Sequence, residues 1–150
     1  MTTDTAPFDW RYLLRAVLGL VFLWAALAKI GDDSGFAREI HNYRATPLAL
    51  ENIFAMTIPW IELVAGTALV LNIAPRAGTL VLGGMLVVFT VLILSAMVRG
   101  LDIACGCFGT TDAARTGWET LLRDIAFLAM AWFGYPRRRA GEATRPAEAF

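Results

Sequence analysis

One apolar run decides the fold class of this chain: AGTLVLGGMLVVFTVLILSAMV, which is Ala77–Val98. At about 1.5 Å of rise per residue, a helix of about 20 such residues crosses the hydrocarbon core of a bilayer, which is about 30 Å thick. A second apolar run, Ile53–Ala74, precedes it, and only Pro75 and Arg76 separate the two. The two runs therefore predict an antiparallel pair of membrane-spanning helices.

Two further runs complete the set of predicted spans. Leu13–Ile30 is apolar throughout most of its length, and Trp118–Tyr135 is apolar after charged side chains in its first turns. Thr116 followed by Glu119 has the spacing of a capping box and predicts that a helix begins there. Ala26-Leu27-Ala28 resembles a signal-peptidase site, so a cleavable signal peptide is the alternative for the first run. We favour four retained spans.

The composition agrees with a membrane domain. Of the 150 residues, 57% are hydrophobic and 17% charged, and the mean hydropathy is +0.57; soluble domains have about 25% charged residues. We expect one all-α, integral membrane four-helix bundle over residues 1–136, with spans at about 13–30, 53–74, 77–98 and 118–135, and a flexible cytoplasmic tail over 137–150. Thirteen basic residues balance thirteen acidic ones, which argues against nucleic acid as a partner.

The distribution of cations predicts an orientation in the cell membrane. Four spans place both termini and the Pro75-Arg76 turn on the same side. Arg137–Arg139 form an uninterrupted basic cluster directly after the last span, and such clusters favour the cytoplasmic side. We therefore expect a multi-pass protein with cytoplasmic termini, whose two long loops are periplasmic or extracellular.

The first long loop predicts a short amphipathic helix. Ser34 can cap it, and Phe36, Ile40 and Tyr43 follow at helical spacing. The helix could lie on the outer membrane surface as a lid packed on the bundle, or as a dock for a substrate or partner. His41, the one histidine of the chain, is expected to be solvated.

The second long loop carries both cysteines of the chain, Cys105 and Cys107, separated by Gly106. A disulfide between them closes almost no loop, so it would stabilise the fold very little. Strained, exposed disulfides are typically labile or catalytic. The pair therefore predicts a redox-active dithiol, while thiolate binding of a soft metal ion and inert thiols stay open as alternatives.

Four charged residues are predicted to lie in the outer half of the bilayer, on the side of the cysteines: Lys29, Glu62, Arg123 and Asp124. An ionised side chain costs about 2.5–3.5 kcal/mol at the centre of a spanning helix, so we expect these residues to be paired and functional. Lys29 or Arg123 could lower a cysteine pKa, and Glu62 or Asp124 could carry protons released on oxidation. We predict that Glu62 pairs with Lys29 or Arg123. A network that only positions the helices is the alternative.

Small residues predict where the helices approach closely. Ala65-Gly66 and Gly83-Gly84 lie within the second and third apolar runs, and small side chains allow neighbouring spans to pack at short distance. Pro59 frees a backbone carbonyl one turn earlier and could kink its span near Glu62.

The chain resembles the four-span MauE/DoxX-like family of redox-associated membrane proteins. The matching stretches are Ala28-Lys29-Ile30, Phe36…Ile40…Tyr43, Pro59-Trp-Ile-Glu62, Arg99-Gly100, Cys105-Gly-Cys-Phe-Gly109 and Leu122-Arg-Asp124. The resemblance implies a four-helix bundle that works with a thioredoxin-like protein in maturing a disulfide-rich subunit of methylamine dehydrogenase. DoxX-like relatives imply a link to sulfur and quinone redox complexes.

Together these features predict an integral membrane thiol-disulfide redox protein. Cys105 and Cys107 would exchange electrons with a thioredoxin-like partner on the outer side, with membrane quinone as a candidate carrier and no bound metal. Quinone-linked disulfide generators of the DsbB type generally use two cysteine pairs, so a second dithiol must come from another protein. A non-catalytic scaffold or assembly subunit for a redox complex, and a thiolate metal carrier, are the alternative functions.

Overall fold

The computed structural model describes residues 9–101 and 117–136. Within these residues the protein has five helices and no strand, which confirms the predicted all-α class. The helices are α1 (Trp10–Gly31), α2 (Asp33–Asn42), α3 (Leu48–Val70), α4 (Pro75–Val98) and α5 (Trp118–Gly134). Cys105, Cys107, Thr116, Arg137–Arg139 and the predicted tail lie outside the described residues.

The three longest helices, α1, α3 and α4, are long and apolar enough to cross a membrane. α1 packs on α3 and α5, α4 packs on α3 and α5, and α2 lies mainly on α3. Leu18, Leu69 and Leu82 are fully buried between the helices. The outward faces instead expose large apolar side chains, such as Trp24 and Val98, to the surroundings. Faces of this kind belong in lipid, so the fold is that of a multi-pass membrane protein.

α1 and α3 approach each other closely at Gly19 and Gly66. A Cβ added at Gly19 would lie 2.8 Å from the Gly66 carbonyl oxygen, so the backbones meet without a side chain between them. The prediction of close packing at Ala65-Gly66 is thus confirmed. For Gly84 the same prediction is wrong, because a Cβ there would meet no heavy atom within 4 Å. Gly84 lies on an exposed part of α4, where no described helix covers it.

Hydropathy placed the second span too late in the chain. We predicted 53–74, whereas α3 runs from Leu48 to Val70. Apolar residues continue through Leu71–Ala74, but the backbone turns there: Asn72 has a positive φ of 54°, a conformation that asparagine tolerates better than most residues. Apolar composition does not report the direction of the backbone. The other three predicted segments coincide with α1, α4 and α5 to within three residues at each end. α5, with 17 residues, is not among the helices long and apolar enough to cross a membrane, so the fourth span stays a prediction.

Two predicted helix caps are wrong. α2 is capped by Asp32, whose side chain accepts a hydrogen bond from the Gly35 N–H at 3.0 Å, and Ser34 lies inside the helix. α5 has Gly117 as its N-cap and no side-chain cap bond. The helix thus begins one residue too late for Thr116 to serve as the cap that the capping box requires.

Candidate functional site

A buried ion pair between α1 and α3 forms the centre of the candidate site. Lys29 Nζ lies 2.7 Å from Glu62 Oε1 and 2.8 Å from Oε2, and each side chain is only 1% exposed. The predicted pairing of Glu62 is confirmed, with Lys29 as the partner. Glu62 is fourteen residues from the start of α3 at Leu48, about 21 Å along the helix. Measured from Ile53, where the predicted span begins, the same distance would be about 13 Å; it is longer because α3 begins five residues earlier.

Two aromatic rings lie against the Lys29 ammonium group. Its nitrogen is 5.1 Å from the centre of the Phe36 ring and 5.7 Å from that of Phe89. These distances allow cation–π attraction, which strengthens where water is excluded. Phe36 comes from α2, and it is buried together with Tyr43. α2 therefore packs on the bundle as a lid, which is one of the two interpretations that the sequence allowed; the other is a dock for a substrate or partner.

Asp124 of α5 is held by a hydroxyl of α4. The Thr90 Oγ1 forms a short hydrogen bond with Asp124 Oδ2 and also lies 2.8 Å from the Leu86 carbonyl oxygen of its own helix. Sequence reasoning missed Thr90. Its signal was a hydroxyl near the middle of an apolar run, where a polar group needs a partner.

All four charged residues predicted for the site surround one small cavity. Lys29, Glu62, Arg123 and Asp124 line it together with Thr120, and its volume is about 30 Å³. Because one water needs about 10–15 Å³ by this measure, the cavity can hold one or two water molecules. The structure thus brings the four charges together from α1, α3 and α5. Thr120 is a further lining residue that the sequence did not single out.

Polar contacts outside this cavity join the helix ends. His41 Nδ1 lies 3.0 Å from Glu51 Oε2, connecting α2 to α3, and the histidine side chain is 59% exposed. The Arg99 Nη2 donates to the Tyr43 carbonyl oxygen at 2.6 Å, connecting the end of α4 to the end of α2. His41 is therefore largely solvated, as expected, and stands apart from the cavity.

Glu39 is a buried acid that sequence reasoning also missed. It lies on α2 with only 5% of its surface exposed. Burial raises the pKa of its carboxyl above the ordinary 4.5; the positive charge of Lys29 opposes this rise, and the negative charge of Asp32 adds to it. An amphipathic pattern marks acids as polar-face residues, so it does not reveal an acid turned toward the bundle.

The described part of the chain contains no group of three or more histidine, cysteine, aspartate or glutamate side chains arranged to hold a metal ion. The two cysteines belong to residues 102–116, which connect α4 to α5 and lie outside that part. The described residues therefore supply charges and hydroxyls to the site, not a metal-ligand set.

The fold and the site define a class: multi-pass helical membrane proteins with a buried ion pair and further charged side chains around one cavity. The family model of the methylamine utilisation protein MauE matches residues 10–137. The chain therefore belongs to the MauE family, which confirms the resemblance stated above.

Several relatives carry the name methylamine utilization protein MauE. The protein of Methylorubrum extorquens is 34% identical over 122 residues, covering 81% of this chain and 65% of the relative. That of Paracoccus denitrificans is 27% identical over 121 residues, covering 80% and 65%. That of Paracoccus versutus is 30% identical over the same length. The chain thus spans about two thirds of the length of these relatives. No solved structure matches it.

Proposed function

We propose that this chain is an integral membrane thiol-disulfide redox protein that exchanges electrons with a thioredoxin-like partner through Cys105 and Cys107. One observation carries the proposal. Lys29, Glu62, Arg123 and Asp124 line one cavity, and the segment with both cysteines connects the two helices that join Thr90 to Asp124. Charged side chains within a membrane are energetically costly and are typical of functional sites.

The connection between the cysteine segment and the charges is short. α5 begins at Trp118, and Asp124 is six residues further on, about 9 Å along the helix. Thr90 is eight residues before the end of α4, about 12 Å along that helix. Asp124 and its partner Thr90 therefore lie about two helical turns from the end of α4 and the start of α5, and the cysteine segment connects these two helix ends.

The proposed exchange proceeds through two displacements. A thiolate of the Cys105/Cys107 pair attacks a disulfide sulfur of the partner, which breaks the partner's disulfide: a mixed disulfide now joins the two proteins, and the partner's second sulfur is released as a free thiolate. The second cysteine then attacks the mixed disulfide, which closes the Cys105–Cys107 bond and releases the partner as a dithiol. Two electrons pass to the partner, and two protons leave this chain for the partner's thiolates. The same steps in reverse oxidise the partner.

The buried charges have separate tasks in this proposal. Lys29 and Arg123 favour thiolate over thiol by their positive charge, and Glu62 and Asp124 accept and release the protons. A membrane quinone that takes two electrons and two protons from the dithiol would become a quinol and regenerate the disulfide. We propose quinone as the candidate carrier for the reverse direction, in which this chain oxidises its partner and is left as a dithiol.

Location and pathway belong to the same proposal. We place the cysteine segment on the periplasmic or extracellular side and the termini in the cytoplasm, following the Arg137–Arg139 cluster. The relatives are named for methylamine utilisation, and we propose that this chain serves that process by helping to form disulfides in an enzyme subunit.

Trapping of mixed disulfides in native membranes tests the exchange. In Cys107→Ser, Cys105 has no resolving thiol, so a covalent adduct with a thioredoxin-like protein should accumulate and be identified by mass spectrometry. The Cys105→Ser/Cys107→Ser double variant is the matched control and should give no adduct. A pair that stays fully reduced, without any adduct in Cys107→Ser or in Cys105→Ser alone, rejects the exchange. Stable association with redox enzymes would then favour a scaffold, and a stoichiometric metal would favour a metal carrier.

A further inference from the structure

A groove on the outside of the bundle adjoins the charged cavity and shares Phe89 with it. It lies between α2, α3 and α4, has a volume of about 540 Å³, and has apolar walls from residues such as Phe54, Ile58 and Val88. Along α4 its lining extends from Val81 to Leu92, about 16 Å of helix. Its shape and apolar walls suit a hydrocarbon chain.

Two buried polar atoms in this groove lack hydrogen-bond partners. Glu39 Oε2 and Thr46 Oγ1 are shielded from solvent and have no partner among the described residues, and both residues line the groove. Buried polar atoms in native proteins are nearly always hydrogen-bonded, and an unsatisfied one is unfavourable. These two atoms therefore indicate a missing polar partner at the end of an apolar groove.

The charges around the groove argue against an anionic partner. No cation is among the described residues that line the groove. The nearby Lys29 is bonded to Glu62 and lies against the rings of Phe36 and Phe89, which also form part of the groove wall. An anionic head would therefore meet Glu39 without a compensating cation.

We propose that this groove binds a lipid-phase molecule with an uncharged, carbonyl-bearing head, held by Glu39 and Thr46, and a hydrocarbon body that lies along α4. Burial raises the pKa of the Glu39 carboxyl, and a carboxyl that carries a proton donates a hydrogen bond. A threonine hydroxyl can also donate, and a carbonyl oxygen accepts two hydrogen bonds. The site does not depend on the thiol exchange, and either can exist without the other.

Binding measurements on the full chain in detergent micelles test the proposal. We would use three probes at matched concentration: decylubiquinone and monoolein, which are uncharged carbonyl compounds, and dioleoyl phosphatidylglycerol, which is anionic. At least one neutral probe should bind at least tenfold more tightly than the anionic lipid. The two neutral probes distinguish a quinone-like head from an acylglycerol head.

Substitutions identify the groove as the site. Glu39→Met with Thr46→Val removes both polar atoms and should weaken binding of the neutral probe about tenfold, because two hydrogen bonds are lost. Val88→Trp fills the groove and should abolish binding. Val87→Trp is the matched control, since Val87 is the neighbouring residue and faces a different depression of the surface. Equal binding of all three probes, no binding of either neutral probe, or unchanged affinity in the double variant overturns the proposal.

Discussion

At the scale of single residues, the Lys29–Glu62 pair is the feature with the greatest energetic consequence. Both groups are almost fully removed from solvent, and the carboxylate accepts two short contacts from one ammonium group. A buried charge that loses its partner is strongly destabilising, whereas replacing both partners by neutral groups is often tolerated. The pair therefore offers a way to separate a structural role from a chemical one.

We predict that Glu62→Gln and Lys29→Met each lower the free energy of unfolding by about 3–5 kcal/mol, because each leaves one buried charge unpaired. The double variant should recover most of this loss, measured by chemical denaturation in detergent. If the pair also moves protons, thiol exchange stays impaired in the stable double variant. Glu119→Gln, at an exposed position at the start of α5, is the control. Recovered exchange in the double variant would assign the pair a purely structural role.

Thr90 is predicted to stabilise Asp124 through its hydroxyl. Thr90→Val keeps the shape of the side chain and leaves the Asp124 carboxyl without its hydrogen bond, so the free energy of unfolding should fall by about 1–3 kcal/mol. Thr67→Val is the matched control, because Thr67 is exposed and bonds only to the Leu63 carbonyl of its own helix. Equal effects of the two substitutions would contradict an interaction between α4 and α5.

The buried Glu39 carboxyl is expected to make the free energy of unfolding depend on pH. Because burial raises the pKa of its carboxyl above 4.5 in the folded protein, the folded state binds more protons than the unfolded state just above that pH. Its stabilising contribution is thus complete below 4.5 and is lost as the pH rises through the folded-state pKa. Glu39→Gln should flatten this part of the stability profile, measured by thermal unfolding at a series of pH values. A profile unchanged by Glu39→Gln would show that other groups cause the dependence.

At the scale of helices, the contact between α1 and α3 depends on the absence of side chains at Gly19 and Gly66. The two backbones meet so closely that a Cβ on Gly66 would lie 2.9 Å from the Gly19 carbonyl oxygen. The same two helices carry Lys29 and Glu62, so their separation also determines whether that pair can form.

Gly66→Val should push α1 and α3 apart and lower the free energy of unfolding by about 1–3 kcal/mol or more, because backbone atoms cannot move aside as a flexible side chain can. The distance between Lys29 and Glu62 should also increase. Gly84→Ala is the control in α4: it meets open space and should be neutral or stabilise by up to about 1 kcal/mol. Thermal unfolding of both variants in detergent gives the comparison. Similar losses in both would contradict specific packing at Gly66.

At the scale of the whole molecule, orientation in the membrane is the main prediction. A thiol reagent that cannot cross membranes should label Cys105 and Cys107 in intact cells after mild reduction, if the segment between α4 and α5 is outside. A cysteine introduced at Arg138 should react only after permeabilisation. The Cys105→Ser/Cys107→Ser variant controls for other thiols. Labelling of the native pair only after permeabilisation would reverse the orientation and place the thioredoxin-like partner in the cytoplasm.

The sequence by itself determined the helices and the need for a buried partner. Apolar runs long enough to cross a bilayer predict α1, α3 and α4, because backbone groups in lipid must bond within their own helix. A carboxylate inside the second apolar run lies in surroundings of low polarity, where an unpaired charge is costly. The sequence therefore predicts that Glu62 pairs with a cation. These inferences depend only on whether a short segment is hydrophobic enough to lie in lipid, and the amino-acid composition of that segment shows this directly.

Only the tertiary structure decided which groups meet. It selected Lys29 and not Arg123 as the partner of Glu62, joined Thr90 to Asp124, and turned Glu39 toward the bundle. It also distinguished Gly66, which lies against α1, from Gly84, where an added Cβ would meet none of the described residues within 4 Å. The physical reason is that most side chains in a membrane helix, polar ones included, have apolar neighbours in sequence, so the local sequence does not tell which way each of them points. Only the rotation and separation of packed helices determine whether it faces lipid, another helix or a charge.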